Sequence, residues 1–406
     1  MNVSVISPYP YPFGLAASNR INAYTKGLTE NGCSVKVYLP FPGELSEKKK
    51  DNSEGIFRGV KFCYTSGRYK SNVKILRGFA VVSGIRKFWG YFTTIVKIYK
   101  DNRNIKFDIL ILSYDSILFL FIFSHLAMFI GAKSIFIFDE YPTPIRHKLK
   151  EKIPKHKEIA YKLVLKNISA YVSISEKLRE YYCNLCPKET FILTTITDIE
   201  HFNITDNKYT VKIDNKFICY MGNMELAKDN VDLIIKAFSL ISCKYPSIEL
   251  HLYGAPDHNT LNYLKELIIE NNMQNKIKIK GKVSFNDVPS ILKQASILVS
   301  SQPDTKRASG GFPTKLGEYL ATGTPIILTN VGENSKAIKD NIHVFFTKPD
   351  NYYEFAKKME FVLNNYDEAI KVGQKGKEFL VNNYSTKQKG KELLFFINKI
   401  VVKNER

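Results

Sequence analysis

The chain has 406 residues, 44% of them hydrophobic and 24% charged, which is usual for a globular protein and allows two cores of ordinary domain size. A formal net charge of +20 calls for an anionic partner, and nucleic acid, anionic lipid and anionic substrates are the candidates. No recognisable nucleic-acid-binding motif accompanies the charge, so RNA and DNA fall away.

The N-terminus, Met1-Asn2-Val3-Ser4-Val5-Ile6, enters a strand pattern at once, with neither a basic leader nor an apolar signal segment, so no secretory signal is expected. Cysteines are scattered at 33, 63, 183, 186, 219 and 243. The one C-x-x-C, Cys183 to Cys186, lacks a second pair or nearby histidines, which argues against zinc and for a reducing, cytoplasmic location.

In the first half, strand patterns fall at Val3–Ser7, Val35–Leu39, Ile109–Leu112, Ser134–Phe138 and Ala170–Ile174, with helical patterns between most of them. The first turn is Pro-rich and contains Gly14; Ser18 can cap the helix that follows, and Arg20 in its first turn opposes the helix dipole unless an anion is near. The basic excess concentrates in Lys48-Lys49-Lys50, in Arg58 to Lys106 and in Arg146 to Lys157. Residues 68–100 interleave cations with Phe79, Phe88, Trp89, Tyr91 and Phe92. Such a stretch suits the headgroup region of an anionic membrane surface; the plainer alternative is the solvated surface of a Lys-rich protein.

The apolar run Ile117 to Ile130 is broken by Ser124-His125 and, at about 14 residues, falls below the roughly 18–20 that span a bilayer. Lying between two strands, it is expected to be a buried crossover helix, with His125 a satisfied core histidine. Asp139 directly follows the fourth strand, where it can cap the strand end. After the loop from Asp198 to Lys212 the alternation restarts with strands at Phe217–Tyr220, Glu249–Tyr253, Lys276–Lys280, Ile297–Ser300 and Ile326–Leu328. Strands separated by helices imply two parallel, doubly wound sheets with ligands at the carboxyl ends of their strands.

Residues 308–327 carry the most chemistry. A short helix is expected there, with Pro313 at its first position and Gly323 in the left-handed position past its end. Thr314, Lys315 and Glu318 share one face, and Leu316 and Leu320 turn to the sheet. A lysine in the first turn opposes the macrodipole, which makes sense if an anion sits at the helix start and a hydroxyl-bearing ligand lies one turn further on. The alternative is a surface helix whose Lys and Glu are merely solvated.

The pattern Gly311-x-Pro313-Thr314-Lys315-Leu316-x-Glu318-Tyr319-x-Ala321-x-Gly323-x-Pro325 resembles the nucleotide-sugar signature of glycosyltransferase family 4 and related GT-B enzymes. That resemblance implies an α/β fold of GT-B type, two doubly wound Rossmann-like domains facing a central cleft. The expected divisions are 1–205 for the acceptor domain, 206–385 for the nucleotide-sugar domain, and a C-terminal helix over 386–406 that crosses back. In the family a pair of glutamates separated by seven residues serves the donor, the second binding the ribose. Glu318 takes the place of the second, and the first is replaced by Gly310. Further similar stretches are the opening loop with Gly14 and Arg20, Gly222-Asn223 with Lys228, Leu252-Tyr253-Gly254 and Gly281-Lys282-Val283.

The resemblance implies that Glu318 holds the ribose, Lys228 and Lys315 the diphosphate, and the Val283 backbone the base. Asp139 would face the acceptor, and Gly14, Arg20, Gly222, Gly254, Gly310, Gly311, Phe312, Pro313, Thr314 and Leu316 would line the donor site. Asn223 stands where the family carries an arginine, and Lys315 is the natural compensator. No Asp-x-Asp occurs, so the clamp of the metal-dependent class is missing and lysines and helix dipoles must stabilise the leaving group. The expected activity is a retaining, metal-independent transfer, needing no cofactor, from a nucleoside diphosphate sugar. The expected acceptor is a lipid-linked saccharide at the inner face of a bacterial membrane, in capsule, exopolysaccharide or O-antigen assembly. The leaving phosphate would take the acceptor proton, so no enzymatic base is required. The losses at Gly310 and Asn223 keep open a second expectation, a catalytically silent partner subunit of a glycosylation complex.

Overall fold

The computed structural model describes residues 1–14, 16–41, 53–67, 80–146, 152–203 and 216–402. The lysines at 48–50 and the first part of the basic, aromatic stretch, residues 68–79, lie outside the described residues. The chain forms two compact units, residues 1–196 with 386–406, and residues 197–385.

The first unit runs β1 (Asn2–Ile6), α1 (Ala16–Glu30), β2 (Ser34–Leu39), β3 (Glu54–Phe57) and β4 (Val60–Tyr64). It continues with α2 (Ala80–Asn104), β5 (Ile109–Leu112), α3 (Ile117–Phe129), β6 (Lys133–Phe138) and the short α4 (Thr143–Arg146). Then come α5 (Lys155–Leu165), β7 (Ala170–Ser173), α6 (Glu176–Leu185) and β8 (Thr190–Ile192). The sheet order is β3-β4-β2-β1-β5-β6-β7-β8, parallel except for β3 against β4. β5 is Ile-Leu-Ile-Leu and buried at every position, as a parallel strand covered on both faces must be.

The hairpin of β3 and β4 was not legible as strands. It turns on Arg58-Gly59, both at positive φ (49° and 80°), and arginine is not a usual residue for such a turn. Ser18 also departs from expectation. It lies inside α1 rather than capping it, and its hydroxyl donates to the Pro10 carbonyl at 2.6 Å.

The run expected to be a buried helix is α3, but only one side of it is enclosed. Phe119, Leu120 and Phe123 are buried, whereas Leu118, Phe121, Met128 and Phe129 are exposed. A single helix between two strands can turn only one stripe to the sheet, and this one is apolar all round. His125 is at the surface too, not in the core. Its Nδ1 lies 2.7 Å from the Phe121 carbonyl and its Nε2 3.2 Å from the Asn167 amide. No helix among the described residues is long and apolar enough to cross a membrane.

The second unit begins with α7 (Ile199–Asn203), β9 (Lys216–Met221), α8 (Leu226–Asp229), α9 (Val231–Ile241) and β10 (Ile248–Tyr253). Next are α10 (His258–Glu270), β11 (Ile277–Gly281), α11 (Val288–Gln294), β12 (Ile297–Ser300), α12 (Lys306–Gly310) and α13 (Thr314–Thr322). It ends with β13 (Ile326–Thr329), α14 (Asn334–Ala337), β14 (Phe345–Thr347), α15 (Tyr352–Asn364) and α16 (Tyr366–Tyr384). Its six strands are all parallel, in the order β11-β10-β9-β12-β13-β14.

The last helix, α17 (Thr386–Val402), belongs to the first unit. Leu393, Phe396, Ile397 and Ile400 enter the same core as Val3, Val5 and Leu28, and each such burial contributes roughly 1.5–3 kcal/mol. The crossing with α1 is backbone against backbone: a Cβ at Gly390 would lie 2.3 Å from the Gly27 carbonyl carbon. Gly390→Leu is therefore expected to force α17 off α1 at a cost of about 1–3 kcal/mol or more. Thermal unfolding of the full chain checks this, and an unchanged melting temperature would show that the two helices part freely.

Candidate functional site

The second sheet reverses its direction of winding at β9, which lies between β10 and β12. Ligands of open α/β sheets bind outside the carboxyl ends of the strands at such a switch point. β9 ends at Met221, and the Gly222 N–H donates to the Tyr253 carbonyl at 2.9 Å. The Gly254 N–H donates in turn to the Gly281 carbonyl at 2.9 Å. A Cβ on Gly254 would sit 1.9 Å from the Gly222 carbonyl oxygen, so only glycine allows this approach. Val283, two residues past β11, is half-buried at the same edge.

α13 starts at Thr314. Pro313 is its N-cap rather than its first helical residue, because ψ of 103° holds Pro313 extended while its carbonyl accepts the Leu316 N–H at 2.9 Å. No side chain caps this end, and Gly323 closes the other in the left-handed conformation at φ 76°. Leu316 and Leu320 are buried against the sheet, and Thr314, Lys315 and Glu318 are half-buried on the other face. Tyr319, which sequence reasoning left without a role, anchors the helix: its hydroxyl accepts the Met221 N–H at 2.8 Å.

Lys315 is the structural centre of this group. Its ammonium donates to Asp229 Oδ1 at 2.6 Å and to the Tyr220 hydroxyl at 3.2 Å, and it lies 4.4 Å from the Tyr220 ring centroid. The Asp229 side chain is 3% exposed and that of Lys315 16%, so this is a buried ion pair. Gly222 makes room for it, since a Cβ there would lie 2.6 Å from the Lys315 Nζ. Ser301, just past β12, fixes the Asp229 segment by donating to the carbonyls of Asp229 and Asn230 at 2.9 and 2.7 Å. Burial first, and then the neighbouring Asp229, push the Tyr220 phenol well above its ordinary pKa, so it stays a neutral hydroxyl.

Lys228 is half-buried on α8, next in sequence to Asp229, while Asn223 is exposed in the loop before that helix. Gly310 ends α12 and is buried; Gly311 caps that helix, and Phe312 and Pro313 are buried in the link to α13. Arg307, on α12, was not singled out from sequence. Its side chain is 7% exposed and pairs with Glu225 at 2.7 Å.

The first unit brings together Arg20 and Asp139, with Nε and Oδ1 2.7 Å apart. Arg20 is buried in α1 and donates also to the Leu193 and Thr194 carbonyls. The anion that the sequence called for beside Arg20 is therefore Asp139, whose side chain remains 31% exposed. Gly14 abuts Ser18: a Cβ there would fall 2.0 Å from the Ser18 hydroxyl.

Two Rossmann-like units with parallel sheets, the second carrying its polar cluster at the switch point, define a GT-B fold. Residues 201–379 match the family described as "Glycosyl transferases group 1". Mannosylfructose-phosphate synthase of Agrobacterium fabrum is 28% identical over 142 residues, 34% of this chain and 30% of that enzyme. The chain spans less than half the length of the curated relatives it matches. Among solved structures, sucrose-phosphate synthase of Thermosynechococcus elongatus superposes with a TM-score of 0.72 at 13% identity, over 98% of each chain. Anabaena HepE, determined with UDP and glucose, gives 0.66 at 11% identity over 98% of this chain and 100% of its own. At these identities the structures establish the fold.

Proposed function

We propose that the protein transfers a sugar, with retention of configuration and without a metal, from a nucleoside diphosphate sugar to a lipid-linked saccharide. The acceptor would lie at the inner face of a bacterial membrane, in the assembly of a surface polysaccharide. The observation that carries this reading is the uncapped start of α13 at the switch point, with Lys315 beside it and Glu318 one turn on. Backbone N–H groups at a helix start bind phosphate, and a carboxylate one turn further is placed to accept from ribose hydroxyls. An ammonium has three donors; Asp229 and Tyr220 occupy two, and the third serves a diphosphate oxygen. Lys228 supplies the second cation and the Val283 backbone the base contact. Charge growing on the leaving diphosphate is stabilised by these fixed dipoles and cations. Gly222, Gly254 and the 310–313 link shape the donor site, and Asp139 serves the acceptor side.

Incubation with a panel of nucleotide sugars and a saccharide lipid, reading free nucleoside diphosphate and the anomeric configuration of the product, tests the proposal. Release from one donor with a retained anomeric centre is expected; an inverted product would refute the mechanism. A second reading, a silent partner subunit, is favoured by one observation: Lys315 and Arg307 are already paired with Asp229 and Glu225, and Asn223 adds no charge. That subunit would bind no nucleoside diphosphate.

A further inference from the structure

We infer that the outer surface of α2, α3 and α5 docks on an anionic lipid bilayer. The inference gives the acceptor reading above its physical location. α3 carries no charged residue, yet it presents a stripe to solvent, with Phe121 at 48% and Phe129 at 75% exposure. α2 continues the apolar surface with Phe88 at 72%, Trp89 at 56% and Phe92 at 49%, and Leu163 on α5 adds 59%. The helices are neighbours: the Tyr99 and Phe129 rings meet at 5.9 Å between α2 and α3, and α3 packs on α5. Solvent is a poor occupant for so much clustered apolar side chain.

Charge selects the occupant. α2 and α5 hold eight cations, Arg86, Lys87, Lys97, Lys100 and Arg103 on the first and Lys155, Lys157 and Lys162 on the second, against two acids; Lys97 is paired with Glu54 of β3 and with Asp101, which leaves seven for the outer surface. Of those acids, Asp101 is turned inward to Lys36 and Tyr38 of β2, and Glu158 is paired with Lys162. A second copy of the chain on a two-fold axis would set cation against cation. An anionic bilayer takes apolar side chains into its acyl boundary and cations at its headgroups together.

The chain has one tryptophan, so its fluorescence reports this face alone. Purified full-length protein is mixed with phosphatidylcholine vesicles with and without phosphatidylglycerol, in low and high salt. Trp89 emission should shift to the blue with the anionic vesicles only, be quenched by brominated acyl chains, and revert as salt rises. The double variant Phe121→Ser with Phe129→Ser should lose roughly tenfold or more in vesicle affinity while melting like the parent. Unchanged Trp89 emission, equal binding to neutral vesicles, or equal binding by parent and variant would overturn the inference. So would a dimer in solution that the double variant abolishes, since the face would then belong to a second copy. A protein that binds vesicles but turns over no donor keeps the docking face and loses the transferase reading; one that turns over a donor but ignores vesicles does the reverse.

Discussion

Lys315→Ala is expected to lose both donor turnover and fold stability. The variant leaves the Asp229 carboxylate, 3% exposed, without its 2.6 Å partner. Breaking a buried ion pair from one side costs about 3–5 kcal/mol, most of it from the stranded charge. On the proposed role of Lys315, turnover should fall because the leaving diphosphate would lose a donor. The two effects can be separated. Lys315→Met combined with Asp229→Leu removes both charges and should recover most of the stability while turnover stays low. Asn223→Arg placed on Lys315→Ala should return part of the turnover but none of the stability, because residue 223 is exposed and far less able to neutralise a buried carboxylate. Lys228→Ala should combine non-additively with Lys315→Ala if both act on one diphosphate. Urea unfolding and turnover on a single donor decide the matter. A Lys315→Ala protein that keeps both would make the residue an ordinary solvated lysine, worth within about 0.5 kcal/mol.

Glu318→Ala separates differently, with a large loss in activity and a small one in stability. In the proposed role Glu318 accepts two charge-assisted hydrogen bonds from ribose hydroxyls, which would contribute roughly 1.5–3 kcal/mol each. Their loss should lower kcat/KM by about a hundredfold or more. Glu318 is half-buried on the face of α13 turned from the sheet, so the melting temperature should move little. Steady-state kinetics beside a thermal melt supply the comparison, and near-normal kcat/KM would remove Glu318 from the site.

The sequence showed most clearly those elements whose signal is local. Ile109–Leu112 and Ile297–Ser300 read to the residue, because a continuous apolar run bounded by polar turns leaves little choice. Gly323 marked the end of α13 for the same reason, glycine being suited to its positive φ. What stayed hidden depends on partners distant in the chain. Nothing near Asp229 announces that it will meet Lys315, 86 positions away, and nothing near Arg20 announces Asp139. β8 and β14, three residues each, exist through pairing with β7 and β13 and carry little pattern of their own. The outward face of α3 was missed because hydrophobicity all round a helix does not say which side will be covered.

The path of the chain has a consequence for biosynthesis. The Thr197 N–H donates to the Tyr384 carbonyl at 2.9 Å, so the second unit begins and ends at one place, inserted within the first. Its own residues are contiguous, and it can fold on the ribosome as it emerges. The first unit has no such freedom. Val3, Val5 and Leu28 are made before the inserted unit, yet the helix that completes their core follows the whole of it. Until then the face of α1 that receives α17 lacks its cover, and a nonsense codon after the inserted unit would leave the damage in a core made long before the lesion.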